Sequence, residues 1–165
     1  YSGMENVIVR SRILRVLSLG LATLVAAVVL PSAPAQAAWG TTVNVNIQVG
    51  SPFGNLGKVT GTIQFETNTT QFRYNLTFCR QSSYMLPYLE VRRNWVSGSS
   101  TFVTYIYPTW TGGTSSCPNG AGSASGTVTT GTIRDLYLIL YGSTFGWMGE
   151  YLIYDEDQFL DSPYA

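Results

Sequence analysis

Histidine is absent from this 165-residue chain, and lysine and cysteine are almost absent. Without histidine, the Ser–His and Cys–His pairs that activate most nucleophiles cannot form. Lys58 is the only lysine, and no recognisable motif surrounds it, so a Ser–Lys dyad has no support. Two carboxylates can hydrolyse a glycosidic bond without histidine, but no spacing among the acidic residues singles out such a pair. The acidic residues in or beside predicted strands are Glu66, Glu90, Asp135 and Glu150. The sequence therefore favours a role without catalysis, although it does not decide whether the chain is an enzyme.

Long apolar runs are also scarce, and the only one covers residues 16–30. Arginines precede this run, and the small-x-small site Ala35-Gln36-Ala37 follows it. This arrangement predicts a secretory signal peptide over residues 1–37, in which residues 1–3 lie upstream of the first methionine. An uncleaved membrane anchor is disfavoured because the run is shorter than the ~20 residues that span a bilayer. We therefore expect one secreted domain over residues 38–165, with no membrane span after signal cleavage. The alanine-rich signal is typical of bacterial export.

Neither basic nor acidic residues are in large excess. Outside the predicted signal peptide, six basic and eight acidic residues leave a net charge of −2. A protein that binds nucleic acid usually presents a basic patch to the phosphate backbone, and Arg92-Arg93 alone is too short to form one. Nucleic acid is therefore not an expected partner.

The two cysteines, Cys79 and Cys117, both lie in the part that is predicted to be exported. In an oxidising compartment such a pair is expected to form one disulfide. The bond closes a loop of 37 intervening residues, which stabilises the fold by about 4 kcal/mol in the chain-entropy account.

We expect no metal and no cofactor. Residues 155–157 and Asp161 lack the glycine and the ligand spacing of an EF-hand, so a solvated acidic tail is favoured over a calcium site.

Polar and apolar residues alternate along most of the chain. In residues 42–49, valines and an isoleucine occupy one side and polar residues the other, which is typical of a strand with one buried side. Further strands are predicted at residues 58–66, 72–78, 89–91, 101–107, 127–130, 133–141 and 147–154. The longest irregular segment is predicted at residues 111–126, and Gly61 inside the second strand is consistent with a bulge. About eight short strands predict an all-β fold, an antiparallel β-sandwich with one disulfide, and a small β-barrel is the alternative.

Aromatic residues are abundant, with 11 tyrosines, 7 phenylalanines and 4 tryptophans. In residues 135–141, leucines alternate with Tyr137, Ile139 and Tyr141. If the leucines point into the core, the tyrosines form a stripe on the outer surface of one sheet; the alternative is a central strand that is covered on both sides. In residues 102–107 the alternation predicts that Phe102 points to the side opposite the tyrosines. The candidates for ligand binding are Tyr105, Tyr107, Trp110, Tyr137, Tyr141 and Trp147.

A contiguous exposed apolar surface usually marks an interaction site, and aromatic rings can stack on the apolar sides of sugar rings. We therefore expect a secreted, non-catalytic binding protein whose partner is an extracellular polysaccharide or a cell-envelope glycan. Two other functions stay open. One is a secreted hydrolase inhibitor that uses the loop over residues 111–126, held by Cys117. The other is a structural envelope protein. The sequence leaves the oligomeric state open.

Overall fold

The computed structural model describes residues 38–164. The predicted signal peptide, residues 1–37, lies outside the described residues, as does residue 165. Across residues 38–164 the chain forms nine strands and no helix. The strands are β1 (Trp39–Ser51), β2 (Gly54–Glu66), β3 (Gln71–Arg80), β4 (Tyr88–Val96), β5 (Ser99–Ile106), β6 (Thr109–Thr111), β7 (Ala121–Thr129), β8 (Asp135–Phe145) and β9 (Tyr151–Asp161). The described part of the chain thus offers no helical segment of the length and apolarity that a bilayer crossing requires.

The strands form two antiparallel sheets. The five-stranded sheet has the order β1-β2-β3-β7-β6, and the four-stranded sheet has the order β5-β4-β8-β9. Within residues 38–164 the sheets are not closed into a barrel, so the predicted β-sandwich is confirmed and the barrel alternative is wrong. The side chains that point between the two sheets form one hydrophobic core.

The alternation of residues 42–49 determines which side of β1 enters the core. Val45, Ile47 and Val49 are buried, whereas the asparagines and the glutamine between them are exposed. The largest fully buried side chains, Phe65, Phe72 and Phe78, come from β2 and β3. Removing one such side chain from water stabilises the fold by about 1.5–3 kcal/mol. The period-two pattern therefore supplies the driving force for stacking the two sheets.

Two glycines permit close approaches that a side chain would prevent. Gly61 has a φ of 143°, and a Cβ there would lie 2.1 Å from the carbonyl oxygen of Asn75. The register on both sides of Gly61 is continuous, so the bulge expected at this position is absent from the β1–β2 and β2–β3 ladders. At Gly142, a Cβ would lie 2.9 Å from the Cβ of Leu56, across the core. Glycine is needed there because the two sheets come close together.

Two segments that were predicted to be irregular are strands. Residues 121–126 belong to β7, which pairs with β3 on one side and with the short β6 on the other. Residues 155–161 were predicted to be a solvated tail, but they form the second half of β9 and pair with β8. In both cases the partner strands supply the hydrogen bonds that the local composition does not predict.

The predicted disulfide between Cys79 and Cys117 is confirmed. It joins the end of β3 to residues 112–120, the loop between β6 and β7. Thr114 and Cys117 exchange backbone hydrogen bonds within this loop, and the amide of Arg80 donates to the carbonyl oxygen of Gly120. The loop is therefore held to β3 by one covalent bond and by backbone hydrogen bonds.

A glutamine joins the edges of the two sheets on one side of the sandwich. The amide nitrogen of Asn46, on edge strand β1, donates to Oε1 of Gln158 at 2.9 Å. Nε2 of Gln158, on edge strand β9, donates to the carbonyl oxygen of Asn44 at 3.2 Å. The side-chain amide thus takes the position of a neighbouring peptide group and satisfies part of an otherwise open edge.

Candidate ligand-binding surface

The outer side of the four-stranded sheet is rich in aromatic rings. Leu136, Leu138 and Leu140 of β8 are fully buried in the core, so Tyr137 and Tyr141 point outward. Neighbouring outward positions on β4, β5 and β9, and the residue that follows β5, also carry rings. We call the set the aromatic surface, and its rings belong to Tyr88, Trp95, Phe102, Tyr105, Tyr107, Tyr137, Tyr141 and Phe159.

The first of two ring groups lies where β4, β5 and β8 meet. Tyr88 is at its centre and stacks on Tyr107 at 5.4 Å and on Tyr141 at 5.1 Å between ring centroids. Tyr105 meets Tyr88 edge to face at 5.7 Å, and Phe102 lies 4.9 Å from Tyr105. The stacked rings cover one another, whereas Tyr107 at the open end of the row is 67% exposed. A ligand can therefore reach the outer side of Tyr107 and the ring edges beside it.

The second group lies farther along the same strands. Trp95, Tyr137 and Phe159 contact one another, with ring centroids 4.5–5.7 Å apart. Tyr137 and Tyr141 are four residues apart on β8, so the two groups are separated by about 13 Å at the usual rise along a strand. An extended ligand that contacts both groups must therefore cross the polar residues between them.

A carboxylate and a guanidinium occupy that space. Nε of Arg92 donates to Oε1 of Glu90 at 2.5 Å, and the hydroxyl of Tyr141 donates to Oε2 of the same carboxylate at 3.0 Å. Glu90 is only 6% exposed, because the rings of the first group cover it. Arg92 also donates to the hydroxyl of Ser100 at 3.0 Å. The centre of the aromatic surface is thus a fixed polar network.

Burial and negative charge keep the tyrosines protonated. Burial is the main cause that raises the pKa of Tyr141, followed by its hydrogen bond to Glu90. Burial is also the first cause for Tyr137, whose pKa is raised further by the neighbouring Asp157. The pKa of Tyr88 is raised by burial and by its tyrosine neighbours. These hydroxyls therefore remain hydrogen-bond donors well into the alkaline range.

The aromatic surface carries more negative than positive charge. Asp155 pairs across the strands with Tyr141, and Asp157 pairs with Ile139, so both carboxylates point to this side of the sheet. With Glu90 and Arg92 included, the four charges sum to −2 at neutral pH. An anionic ligand is repelled here, whereas a neutral or cationic ligand is not.

Phe102 lies on this surface, although the alternation predicts that it points to the side opposite the tyrosines. The register between β4 and β5 shifts between Val91 and Arg92, so that Val91 pairs with Thr104 but Arg92 pairs with Phe102. The extra residue, Val103, packs against the core, and Phe102 turns outward with 46% exposure. The prediction was wrong because a bulge changes the phase of the alternation, which a strict period of two does not anticipate.

Four of the six predicted site residues come together on this surface: Tyr105, Tyr107, Tyr137 and Tyr141. Trp110 does not, because it lies on β6 in the other sheet, where its half-buried ring packs 6.4 Å from Phe78. Trp147 does not either, because it lies in the turn between β8 and β9 and contacts Phe53.

Sequence reasoning did not select two further rings of the surface, Tyr88 and Phe159, whereas Trp95 is a candidate from the sequence because it stands isolated at a strand end. Tyr88 precedes the short strand that was predicted at residues 89–91. Phe159 lies in the segment that was predicted to be a tail. The signal for Phe159 was the continued alternation of Tyr151, Ile153 and later odd-numbered residues along β9.

The four carboxylates considered for catalysis have separate local partners. Glu90 accepts from Arg92, and one oxygen of Asp135 accepts from the amide of Trp95 at 2.8 Å. Glu150 accepts from the amide of Met148 in its own turn, and Glu66 contacts the hydroxyl of Thr70. Within the described residues, no three His, Cys, Asp or Glu side chains gather into a group that could hold a metal ion. None of these contacts resembles a paired acid and base.

Comparison of the chain with protein-family models, with curated proteins and with solved structures gives no match.

Proposed function

We propose that this protein is a secreted, non-catalytic binding protein that holds an extracellular polysaccharide or cell-envelope glycan on its aromatic surface. One observation carries the proposal: two groups of partly exposed rings lie on one rigid sheet and flank a fixed carboxylate–guanidinium pair. Rings can pack against the apolar sides of sugar rings, and the polar network between them can hydrogen-bond to hydroxyl groups.

The charge of the surface narrows the class of glycan. Glu90 already offsets the charge of Arg92, so Asp155 and Asp157 leave this side of the sheet negative, and polymers of uronic acids or phosphates are disfavoured. Neutral polysaccharides and polysaccharides with free amino groups fit better. An open sheet surface also suits an extended chain that contacts both ring groups, in preference to a single buried sugar.

The experiment is a binding assay on insoluble chitin and cellulose as neutral polymers, on chitosan as a cationic polymer and on alginate as an anionic polymer. We expect binding to a neutral or cationic polymer, and binding at least about five-fold weaker for Tyr107→Ala and for Trp95→Ala, since a ring at a binding hot spot contributes more than about 1 kcal/mol. Phe53→Ala is the matched control, because Phe53 is an exposed ring outside the aromatic surface. Absence of binding to every polymer, or an equal loss with Phe53→Ala, contradicts the proposal.

A further inference from the structure

One end of the sandwich carries exposed apolar side chains from three connections between strands. We call this end the apolar tip. Phe53 comes from the turn between β1 and β2, Tyr84 and Leu86 come from the segment between β3 and β4, and Trp147 and Met148 come from the turn between β8 and β9. The three connections lie side by side, because Phe53 contacts Trp147 at 5.6 Å and Tyr84 contacts Phe145 at 4.8 Å between ring centroids. They can therefore meet the same external surface at the same time.

Trp147 and Met148 are the most exposed large hydrophobic residues of this end. Their exposed fractions are 91% and 95%, the largest among the exposed large hydrophobic residues. Gly149 adopts a φ of 80°, and its amide donates to the carbonyl oxygen of Gly146. The carboxylate of Glu150 accepts from the amide of Met148 at 3.0 Å. The turn is thus held in a fixed shape that presents two apolar side chains to solvent.

The tip differs chemically from the aromatic surface. Glu150 is the only charged residue in the three connections, over residues 52–53, 81–87 and 146–150. Arg80 stands behind the second connection, and its guanidinium donates to the carbonyl oxygens of Ser83 and Tyr84. The charged groups of Glu150 and Arg80 are thus already hydrogen-bonded to the backbone of the tip itself.

We propose that the apolar tip docks on the surface of a lipid bilayer, with Trp147 and Met148 entering the boundary between headgroups and acyl chains. Trp147 and Met148 are almost fully exposed on a turn, so they can enter a deformable layer that has no preformed pocket. Tryptophan and tyrosine favour the headgroup level, where an apolar ring and a polar atom are both satisfied. Because the tip has almost no charge, the bilayer it fits is neutral, and docking requires neither anionic lipid nor low salt. This inference is independent of the proposed glycan binding.

The experiment measures partition of the whole chain onto phosphatidylcholine vesicles by sedimentation. We expect Trp147→Ser with Met148→Ser to weaken partition at least about ten-fold, since burial of both side chains is lost. Phe102→Ser with Tyr107→Ser, a matched pair on the aromatic surface, should leave partition unchanged. Adding phosphatidylglycerol or raising the salt concentration should change partition little. Equal partition of the parent chain and the tip variant overturns the proposal.

Tryptophan fluorescence gives a second measurement that reports on the tip itself, whatever residues 1–37 contribute. Vesicles should shift the emission of the parent chain to shorter wavelength, and Trp147→Phe should abolish the shift while it retains binding. An unchanged emission of Trp147 on vesicles overturns the proposal.

The oligomeric state of the tip variant gives a third test. If the parent chain is a dimer and the tip variant is a monomer, the tip is a contact between copies and the proposal is overturned. The tip variant should still bind glycan normally. The bilayer proposal and the glycan proposal can therefore be contradicted independently of each other.

Discussion

At the scale of single residues, Glu90 organises the aromatic surface. Its carboxylate is almost fully buried beneath the tyrosines of the first ring group, and it accepts hydrogen bonds from Arg92 and Tyr141. A buried carboxylate is tolerated only when its charge and its lone pairs are satisfied. The same contacts that stabilise Glu90 therefore fix the positions of the Arg92 guanidinium and the Tyr141 hydroxyl on the surface.

Replacing Glu90 with glutamine keeps the shape of the side chain and removes its charge. We expect Glu90→Gln to lower the free energy of unfolding by about 1–3 kcal/mol, because Arg92 loses a charged acceptor and an amide nitrogen meets groups that are donors. Urea unfolding at neutral pH measures the change. Glu156→Gln is the control, since Glu156 is exposed on β9 and should stay within about 0.5 kcal/mol of the parent chain. Equal stability of Glu90→Gln and the parent chain contradicts this account.

At the scale of strands, the sequence predicts best where one side is uniformly apolar. Residues 42–49 and the leucines of residues 136–140 alternate strictly, and both segments lie in strands with the predicted sides buried. Residues 121–126 contain mainly glycine, alanine and serine, so nothing local favours a strand there. They form one because β3 offers its free edge, a tertiary contact that a local pattern does not contain.

The same reasoning explains which part of the candidate site was predictable. Tyr105, Tyr107, Tyr137 and Tyr141 follow from alternation alone. Phe102 does not, because its outward position depends on a bulge in the pairing of β4 with β5. Trp110 has the sequence context of an exposed loop, yet three-residue strand β6 holds it beside the core.

An element-level prediction concerns the edges of the two sheets. Gln158→Leu removes both hydrogen bonds between β9 and β1, and we expect the free energy of unfolding to fall by about 1 kcal/mol, since these partly exposed groups can still bond to water. It should also promote association at high concentration, because the edge of β1 is left open. Urea unfolding and size-exclusion chromatography measure the two effects. Gln48→Leu, an exposed change on β1, serves as the control. If the two variants behave alike, Gln158 does not join the sheets.

At the scale of the whole molecule, the two sheets present different outer surfaces around one core. On the outer side of the five-stranded sheet, threonine, asparagine, glutamine and serine predominate. The aromatic surface and the apolar tip lie on the four-stranded sheet and at one end of the sandwich. The exposed side chains that the glycan and bilayer tests replace lie outside the core and the disulfide, so their substitution leaves those two sources of stability in place. This division makes the glycan and bilayer tests practicable.

Alkaline pH should weaken the whole fold through the aromatic surface. The pKa values of Tyr88, Tyr137 and Tyr141 are raised in the folded state, by burial first and by nearby acidic groups or tyrosines next. In the unfolded chain the same tyrosines release their protons near about pH 10, so the unfolded state binds fewer protons above that pH. The free energy of unfolding is therefore expected to be constant with respect to these groups below about pH 9 and to fall as the pH rises from there toward their folded pKa values.

Urea unfolding in steps between about pH 8 and about pH 11 measures this slope. Tyr141→Phe removes the hydroxyl that donates to Glu90, so the variant should be less stable at neutral pH and should lose less stability as the pH rises. Tyr164→Phe is the matched control, since Tyr164 is exposed near the end of the chain and lies apart from the ring groups. A slope that Tyr141→Phe leaves unchanged shows that the alkaline loss arises elsewhere. A stability that increases with pH contradicts the raised pKa values themselves.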